Sequence, residues 1–386
     1  MTKNNRMPAF FTYFSCVVVY FVILATNETF LVSQLGNYEI SFTEYDQIEY
    51  YKILGYVAAA IFLLMFSTVI SLNVSMILGA VLYFLSIIVI SSGDITTQTN
   101  FFYFSLYSAS YTVVGSTIFL YILCDINLDS EFTLICTCLA SSISVFLNDI
   151  KLFIITSQGV KGLVIANVIL IGTLVLINFN YPIFKKKIKT TDYNFSGVVR
   201  NMELEIICGF SLFYILMVVI DGYDIYSITD QLFTIVDSSI QHYMLALIVF
   251  IVSLLILYIE KVNIHIVNIC SIGLSFSLFV TMKYWAEYRI LGLIGWFVLG
   301  LLLSIIAVGN LFVITKKFDE INLVLSISLY LLGCCLGYYC GYITIDTAED
   351  TLGENGFLIS ICFVLFSLLI YYVYLFRKYR LSTIKN

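Results

Sequence analysis

Long apolar segments, separated by short polar ones, make up nearly the whole chain of 386 residues. Their continuous runs are longer than the about ten alternating residues of a membrane β-barrel strand. A membrane-spanning helix needs about 20 mostly apolar residues, and twelve segments are of roughly that length. They are residues 9–31, 50–71, 75–92, 100–124, 131–150, 160–181, 203–222, 238–259, 264–282, 289–315, 321–344 and 356–376. The pattern therefore predicts an all-α integral membrane protein with about 12 transmembrane helices, six in each half of the chain.

A basic segment interrupts this pattern at the middle of the chain, at residues 182–202. Basic residues concentrate on the cytosolic side of membrane proteins, so the segment is predicted to be a cytosolic linker. It would join an N-terminal six-helix bundle, 1–181, to a C-terminal six-helix bundle, 203–386. Its basic residues are Lys185, Lys186, Lys187, Lys189 and Arg200.

The charges between the other spans predict the orientation of the chain. If both termini are cytoplasmic, 14 of the 19 basic residues fall in cytosolic segments, while many acidic residues fall on the outer side. This asymmetry favours an even number of spans with both termini in the cytoplasm. Frequent Asn, Lys and Ile and only 2 prolines are typical of an AT-rich genome. The predicted location is therefore the inner membrane of a bacterium.

The composition excludes several functional classes. Only 11% of the residues are charged and 61% are hydrophobic, whereas about a quarter of a soluble domain is charged. The chain has no glycine-rich phosphate loop and no catalytic set at plausible depths, so we expect neither an ATP-driven protein nor an enzyme. No basic, aromatic-interleaved stretch indicates nucleic-acid binding. The 10 cysteines contain no CxxC pair, so neither a metal nor another cofactor is expected.

A short internal repeat relates the two halves. Tyr20 and Asn27 lie seven residues apart in the first span, and Tyr214 and Asp221 have the same spacing in the seventh, offset by 194 residues. Parallel six-helix repeats related by an axis along the membrane normal build one large transporter fold. The repeat therefore predicts pseudo-twofold symmetry of the 6+6 arrangement.

Six plus six spans, a basic central linker and this chain length resemble the major facilitator superfamily. The acidic outer loop 36–49 running into Tyr51–Ala60 is similar to that family's outer loop and its glycine- and alanine-rich second helix. The turn 71–75 lacks the glycine, acid and arginines usual there, and Tyr111 precedes Gly115 where the family often has an arginine. The resemblance implies alternating access, with a substrate site near the bilayer midplane between two bundles.

Two carboxyl groups are candidates for proton coupling. Glu28 lies in the outer half of the first predicted span, and Asp221 is its counterpart in the seventh. An ionisable side chain in hydrocarbon is costly unless it faces a polar cavity, and burial favours the protonated form of a carboxyl. Such a group can bind and release a proton as a cavity changes its opening. The alternative is that both residues are hydrated near the interface and have no coupling role.

Several polar and aromatic residues are candidates for lining that cavity. Those of the first and seventh spans belong to the repeat, and those of the fifth span form a helical stripe of small hydroxyls, which could equally serve close helix packing. Tyr111 lies too deep for an interfacial aromatic belt. For Trp296 the alternative is a core aromatic. The candidates are Tyr20, Asn27, Tyr111, Thr137, Ser141, Ser144, Tyr214 and Trp296.

Two further patterns concern helix packing and helix ends. Gly333, Gly337 and Gly341 form overlapping GxxxG steps in the eleventh span, which predict a close helix contact. Glu49 and Lys52 begin the second span on one helical face. They form either part of an ion-paired outer gate or an ordinary solvated helix end.

Together these features predict a proton-coupled secondary active transporter, monomeric in the lipid bilayer. Few basic residues lie deep in the spans, so a small neutral, zwitterionic or cationic solute is favoured: an amino acid, sugar, siderophore or drug. The alternative is a receptor or scaffold of the same fold that transports nothing.

Overall fold

The computed structural model describes residues 14–15, 17–20, 42–66, 72–92, 98–125, 139, 161, 164–165, 167–175, 195–218, 248, 251, 255, 264–285, 289–318, 320–352 and 354–384. These residues are helical, apart from single bends that flank helices. The helices with described bounds are α1 Phe42–Phe66, α2 Leu72–Ser92, α3 Gln98–Asp125, α4 Phe195–Asn201, α5 Glu203–Met217, α6 Ile264–Trp285, α7 Arg289–Lys317, α8 Glu320–Leu352 and α9 Glu354–Ile384.

Within the described ranges, five helices are long and apolar enough to cross a membrane. The spanning segments are Gln47–Met65, Leu72–Ile90, Ile264–Thr281, Phe297–Lys317 and Asn322–Thr344, and Ile359–Leu375 is a shorter apolar stretch in α9. The protein is therefore an all-helical, multi-pass integral membrane protein. The first, fifth and eighth predicted spans lie mostly outside the described residues, and the sixth is described only in part.

Several helices extend beyond the apolar segments that predicted them. Residues 42–49 were predicted to lie in an acidic outer loop, but they form the first turns of α1. Residues 72–75 were assigned to a turn, but they begin α2. Hydropathy marks only the part of a helix within hydrocarbon, and acidic residues are favourable near a helix N-terminus because of the helix dipole.

The chain divides into two compact units. The first comprises Met1–Phe195 with Asp319–Ser328, and the second comprises Ser196–Phe318 with Leu329–Asn386. The predicted boundaries of the two bundles remain a prediction, because most of the predicted linker lies outside the described residues.

In the first unit, α3 packs against both α1 and α2. Gly55 of α1 lies against α3, where a Cβ atom would overlap the carbonyl oxygen of Ser105. Small residues allow such close helix contacts in membranes, where packing and not water exclusion holds helices together. The core of the unit is aromatic and aliphatic, and it contains Ile48, Tyr83, Ile87, Ile90, Phe101, Phe104 and Tyr107.

In the second unit, α6 packs against α7 and α9, and α5 contacts the same two helices. One side of α9 is buried in the core through Ile361, Leu365 and Tyr372. Its opposite side is also apolar but exposed, with Phe363 at 70% and Ile370 at 54% exposure. A helix that is apolar all round while part of its surface is exposed is suited to face lipid.

Candidate functional site

A cluster of five tyrosines lies in the first unit, formed by Tyr20, Tyr56, Tyr83, Tyr107 and Tyr111. The Tyr20 hydroxyl donates a hydrogen bond to the backbone carbonyl of Tyr111 at 3.0 Å. The Tyr111 hydroxyl in turn donates to the Tyr56 hydroxyl at 2.6 Å. Two of the predicted cavity residues, Tyr20 and Tyr111, are therefore in direct contact although 91 positions apart in the chain.

The aromatic rings of this tyrosine cluster hold one another in place. The Tyr111 ring makes edge contacts with Tyr56, Tyr83 and Tyr107 at centroid distances of 5.8, 6.2 and 5.5 Å. Edge-to-face packing of this kind is favourable because a ring's positive edge meets a negative face. The position of the Tyr111 hydroxyl is thus determined by three neighbouring rings as well as by its hydrogen bond.

Gly115 explains why Tyr20 can approach α3. The Tyr20 ring lies over Gly115, where a Cβ atom would come within 2.5 Å of the phenol oxygen. The spacing of Tyr111 and Gly115 is the one at which the resemblance to the major facilitator superfamily would place an arginine and a glycine. Here the carbonyl of Tyr111 accepts a hydrogen bond from Tyr20 of the first predicted span, and Gly115 leaves room for the Tyr20 ring.

Burial divides the cluster into a core part and an accessible part. Tyr20, Tyr83 and Tyr107 are buried, whereas Tyr56 and Tyr111 are half-buried. All five side chains are uncharged hydrogen-bonding groups with aromatic faces. The accessible Tyr56–Tyr111 pair can contact a polar, uncharged group by stacking and by hydrogen bonds.

Sequence analysis did not identify Tyr56. Glu49, Lys52 and Tyr56 lie at i, i+3 and i+7 and so share one face of α1. The structure pairs Lys52 with Glu49 at 2.8 Å on that face. The polar face of α1 was therefore a usable signal for Tyr56.

The remaining candidates are distributed as follows. Tyr214 is buried in α5 of the second unit, with its ring stacked on Phe210 at 6.4 Å. Trp296 belongs to α7, but its side chain is outside the described part of the chain. The other predicted site residues also lie outside the described residues and stay predictions: Glu28, Asn27, Asp221, Thr137, Ser141 and Ser144.

The second unit contains a buried network of two amides and a phenol, which sequence analysis missed. The Asn268 amide donates to Asn310 Oδ1 at 3.3 Å and to the Tyr372 hydroxyl at 3.1 Å. The Tyr372 hydroxyl donates to Asn310 Oδ1 at 2.9 Å. The three side chains come from α6, α7 and α9, so the network ties these helices together in the interior of the unit. Single amides within apolar spans were the signal available in the sequence.

An ion pair between a buried carboxylate and an exposed lysine lies near one end of the same unit. Glu205 of α5 is only 2% exposed and lies 3.2 Å from the ammonium of Lys317 at the end of α7. The same ammonium donates to the backbone carbonyl of Asn201.

Within the described part of the chain, no group of three His, Cys, Asp or Glu residues is arranged to hold a metal ion.

Comparison with known proteins gives one distant sequence relative. No protein-family model matches the chain. Over 205 residues it is 22% identical to an uncharacterised protein of Rickettsia prowazekii. That alignment covers 53% of this chain and 53% of the relative. The chain thus matches about half the length of this relative.

Solved structures give a likeness over nearly the full length. FucP, a major facilitator superfamily transporter in its outward conformation, aligns with a TM-score of 0.67 at 13% identity and covers 94% of this chain and 98% of that chain. The proton:xylose symporter XylE aligns with a TM-score of 0.66 at 11% identity, over 95% of both chains. At such low identities these alignments identify the fold alone. The protein has the major facilitator superfamily fold, as its sequence predicted.

Proposed function

We propose that the protein is a secondary active transporter that moves a small solute by alternating access. In this proposal twelve helices form two six-helix bundles with pseudo-twofold symmetry, joined by the cytosolic linker at residues 182–202. The observation that carries the proposal is the fold shared over at least 94% of the chain with FucP and XylE. FucP of Escherichia coli is a fucose:proton symporter, and XylE is a xylose:proton symporter. The protein would act as a transporter and not as an enzyme.

The transported solute is proposed to be neutral, zwitterionic or cationic: an amino acid, a sugar, a siderophore or a drug. The Tyr56–Tyr111 pair supports an uncharged hydrogen-bonding group on the cargo, because the tyrosine cluster holds no charged side chain. Stacking on an aromatic face together with phenol hydrogen bonds suits a sugar ring well. A sugar is therefore the first solute to test.

Coupling is proposed to be to protons, through Glu28 with help from Asp221. The support comes from the positions of both carboxyls within predicted spans and from the two proton symporters that share the fold. A carboxyl that faces a cavity open to alternate sides can load a proton on one side and release it on the other.

The proposed setting is the inner membrane of a bacterium, with the monomeric chain in the lipid bilayer and both termini in the cytoplasm. The Rickettsia relative is a bacterial protein, which supports this setting. The sorting of basic residues to one predicted side supports the orientation.

Metabolite profiling of cells and medium tests transport directly. We would compare a bacterial host that expresses the protein with one that carries an empty vector, each at two external pH values and with a panel of sugars and amino acids supplied. We expect one solute to change between cells and medium only when the protein is present, and to respond to external pH. If no solute changes although the folded protein is in the membrane, the proposal of transport is wrong. The alternative, a receptor or scaffold of the same fold, is then favoured.

Four variants test the proposed roles of Glu28 in proton coupling and of Tyr111 in solute binding. Glu28→Gln should abolish the pH response of transport, whereas Glu349→Gln, an acid near the end of α8, should keep it. Tyr111→Phe should raise the KM for the solute, whereas Tyr103→Phe on the same helix should leave it unchanged. If the Glu28→Gln variant transports the solute with the pH response of the wild type, the proposal of transport stands, but Glu28 is not the proton-coupling residue.

A further inference from the structure

A cavity of about 850 Å³ opens at one end of the second unit. It lies where α5 and α6 begin and where α7 ends, close to Leu375 of α9. These helix ends lie on the side of the membrane that the basic residues predict to be cytosolic.

The wall of the cavity carries more positive than negative charge. Its basic side chains are Arg200, His265, Lys316 and Lys317, and its acidic ones are Glu203 and Glu205. Glu205 is buried and paired with Lys317, so these two charges compensate each other within the wall. Arg200 and Lys316 are both exposed.

The same cavity has an apolar floor. Leu204, Ile264, Phe312 and Leu375 line it, and the apolar part of α7 ends beside it at Lys317. The Lys316 ammonium lies 4.3 Å from the centre of the Phe312 ring. The Lys316 cation therefore lies over an apolar ring of the cavity wall, at the end of the apolar segment of α7.

We propose that this cavity binds the phosphate headgroup of an anionic phospholipid, with Arg200 and Lys316 contacting the phosphate and the apolar floor contacting the glycerol and upper acyl chain. A guanidinium matches the geometry of phosphate oxygens and bonds them through paired N–H donors. Basic pockets between membrane helices on the cytoplasmic side are suited to anionic headgroups. A free phosphate ion would use the cations but not the apolar floor. Lipid binding here goes beyond the proposed transport and does not depend on it.

Native mass spectrometry of the full chain in detergent micelles tests the proposal. We would titrate wild-type protein with dioleoyl phosphatidylglycerol and, in parallel, with dioleoyl phosphatidylcholine of the same chain length. We expect one phosphatidylglycerol molecule to be retained at concentrations where phosphatidylcholine is lost. Because the interaction is electrostatic and partly exposed, rising salt should weaken it. Equal retention of the two lipids by the wild type would overturn the proposal without any variant.

Matched variants locate the site. The double variant Arg200→Gln/Lys316→Gln should bind phosphatidylglycerol about tenfold more weakly, since each basic residue at the headgroup level contributes to anionic-lipid binding. Arg377→Gln removes an exposed basic residue that does not line the cavity and should leave binding unchanged. Glu203→Gln removes an opposing charge and should tighten binding.

The outcomes are distinguishable. Wild-type affinity in the double variant, with Arg377→Gln weakened instead, would place lipid binding elsewhere and overturn the proposed site. Displacement of phosphatidylglycerol by low concentrations of inorganic phosphate would show that the cavity is a site for a soluble anion and not for a lipid.

Discussion

At the scale of single residues, buried polar side chains of the second unit bond to one another. Asn268, Asn310 and Tyr372 are nearly fully buried and share three hydrogen bonds. A bilayer provides no water to replace such bonds, so a polar group that loses its partner there stays unsatisfied. These side chains should therefore contribute to stability only as a complete set.

Tyr372→Phe removes the phenol that accepts from Asn268 and donates to Asn310. We expect the free energy of unfolding to fall by about 1–3 kcal/mol, because two buried amides lose a partner. Tyr374→Phe is the matched control, since Tyr374 is on the same helix and 59% exposed. Thermal or denaturant unfolding in micelles measures the stability of both variants. Equal stability of the two variants would contradict a structural role for the network.

The Glu205–Lys317 ion pair predicts a non-additive mutant cycle. Lys317→Met leaves the Glu205 carboxylate buried without its cation, which should lower the free energy of unfolding. The loss should be smaller than for a fully buried pair, because the Lys317 side chain is 34% exposed and solvent screens it. The double variant Glu205→Gln/Lys317→Met leaves no uncompensated charge and should be more stable than Lys317→Met alone. The four proteins of the cycle would be compared by unfolding in the same detergent. A double variant that simply adds the costs of the two single ones would show that the pair is not coupled.

At the scale of helices, glycines determine where backbones meet. The GxxxG steps of α8 make the close helix contact that the sequence predicted, and the structure shows that the partner is α5: Gly333 lies against Ile206, Gly337 against Phe210 and Gly341 against Met217. The closest approach is at Gly337, where a Cβ atom would overlap the Phe210 carbonyl oxygen. A rigid backbone atom cannot move aside as a flexible side chain can.

Gly337→Val should therefore separate α5 from α8 or prevent their packing. We expect a loss of at least about 1–3 kcal/mol, the usual cost of overpacking. Gly273→Ala is the control, because nothing lies within 4 Å of a Cβ at that position in α6. That control should be neutral or slightly stabilising, since alanine favours a helix over glycine by up to about 1 kcal/mol. Monodisperse yield and melting temperature after purification distinguish the two, and a stable Gly337→Val protein would refute the close contact.

At the scale of the whole molecule, the chain combines a membrane fold with a sorted charge distribution. Its likeness to FucP and XylE extends over nearly the full length. The described helices end at the expected charges: Lys316 and Lys317 close α7, and Arg377 lies in the last part of α9. The positive-inside rule then predicts that these ends are cytoplasmic.

Reporter fusions in a bacterial host test this orientation. A green fluorescent protein fused after Asn386 should fluoresce, and alkaline phosphatase at the same position should be inactive, because the C-terminus is predicted to be cytoplasmic. Phosphatase inserted between α8 and α9, at residue 353, should be active on the outer side. An active phosphatase after Asn386 would overturn the predicted cytoplasmic C-terminus.

The sequence by itself determined the class of the protein, its helical content and the position of most described helices. Predicted spans 75–92, 100–124, 264–282 and 289–315 lie within a few residues of α2, α3, α6 and α7. This succeeds because a helix in hydrocarbon must satisfy its own backbone and be apolar over a defined length. The polar ends of α1, α8 and α9 were missed because they project beyond that length.

Only the tertiary structure decided which side chains meet. Tyr20 and Tyr111 were separate candidates until the fold brought them together, and only the fold joined Asn268, Asn310 and Tyr372 in one network. In a helix of a soluble protein, the division into a polar and an apolar face shows which side is buried, because the apolar face packs on the core. In α9 the buried Leu365 and the exposed Phe363 are both apolar, so hydropathy does not fix the rotation of the helix. The packing of neighbouring helices fixes it, and with it the composition of every site inside the units.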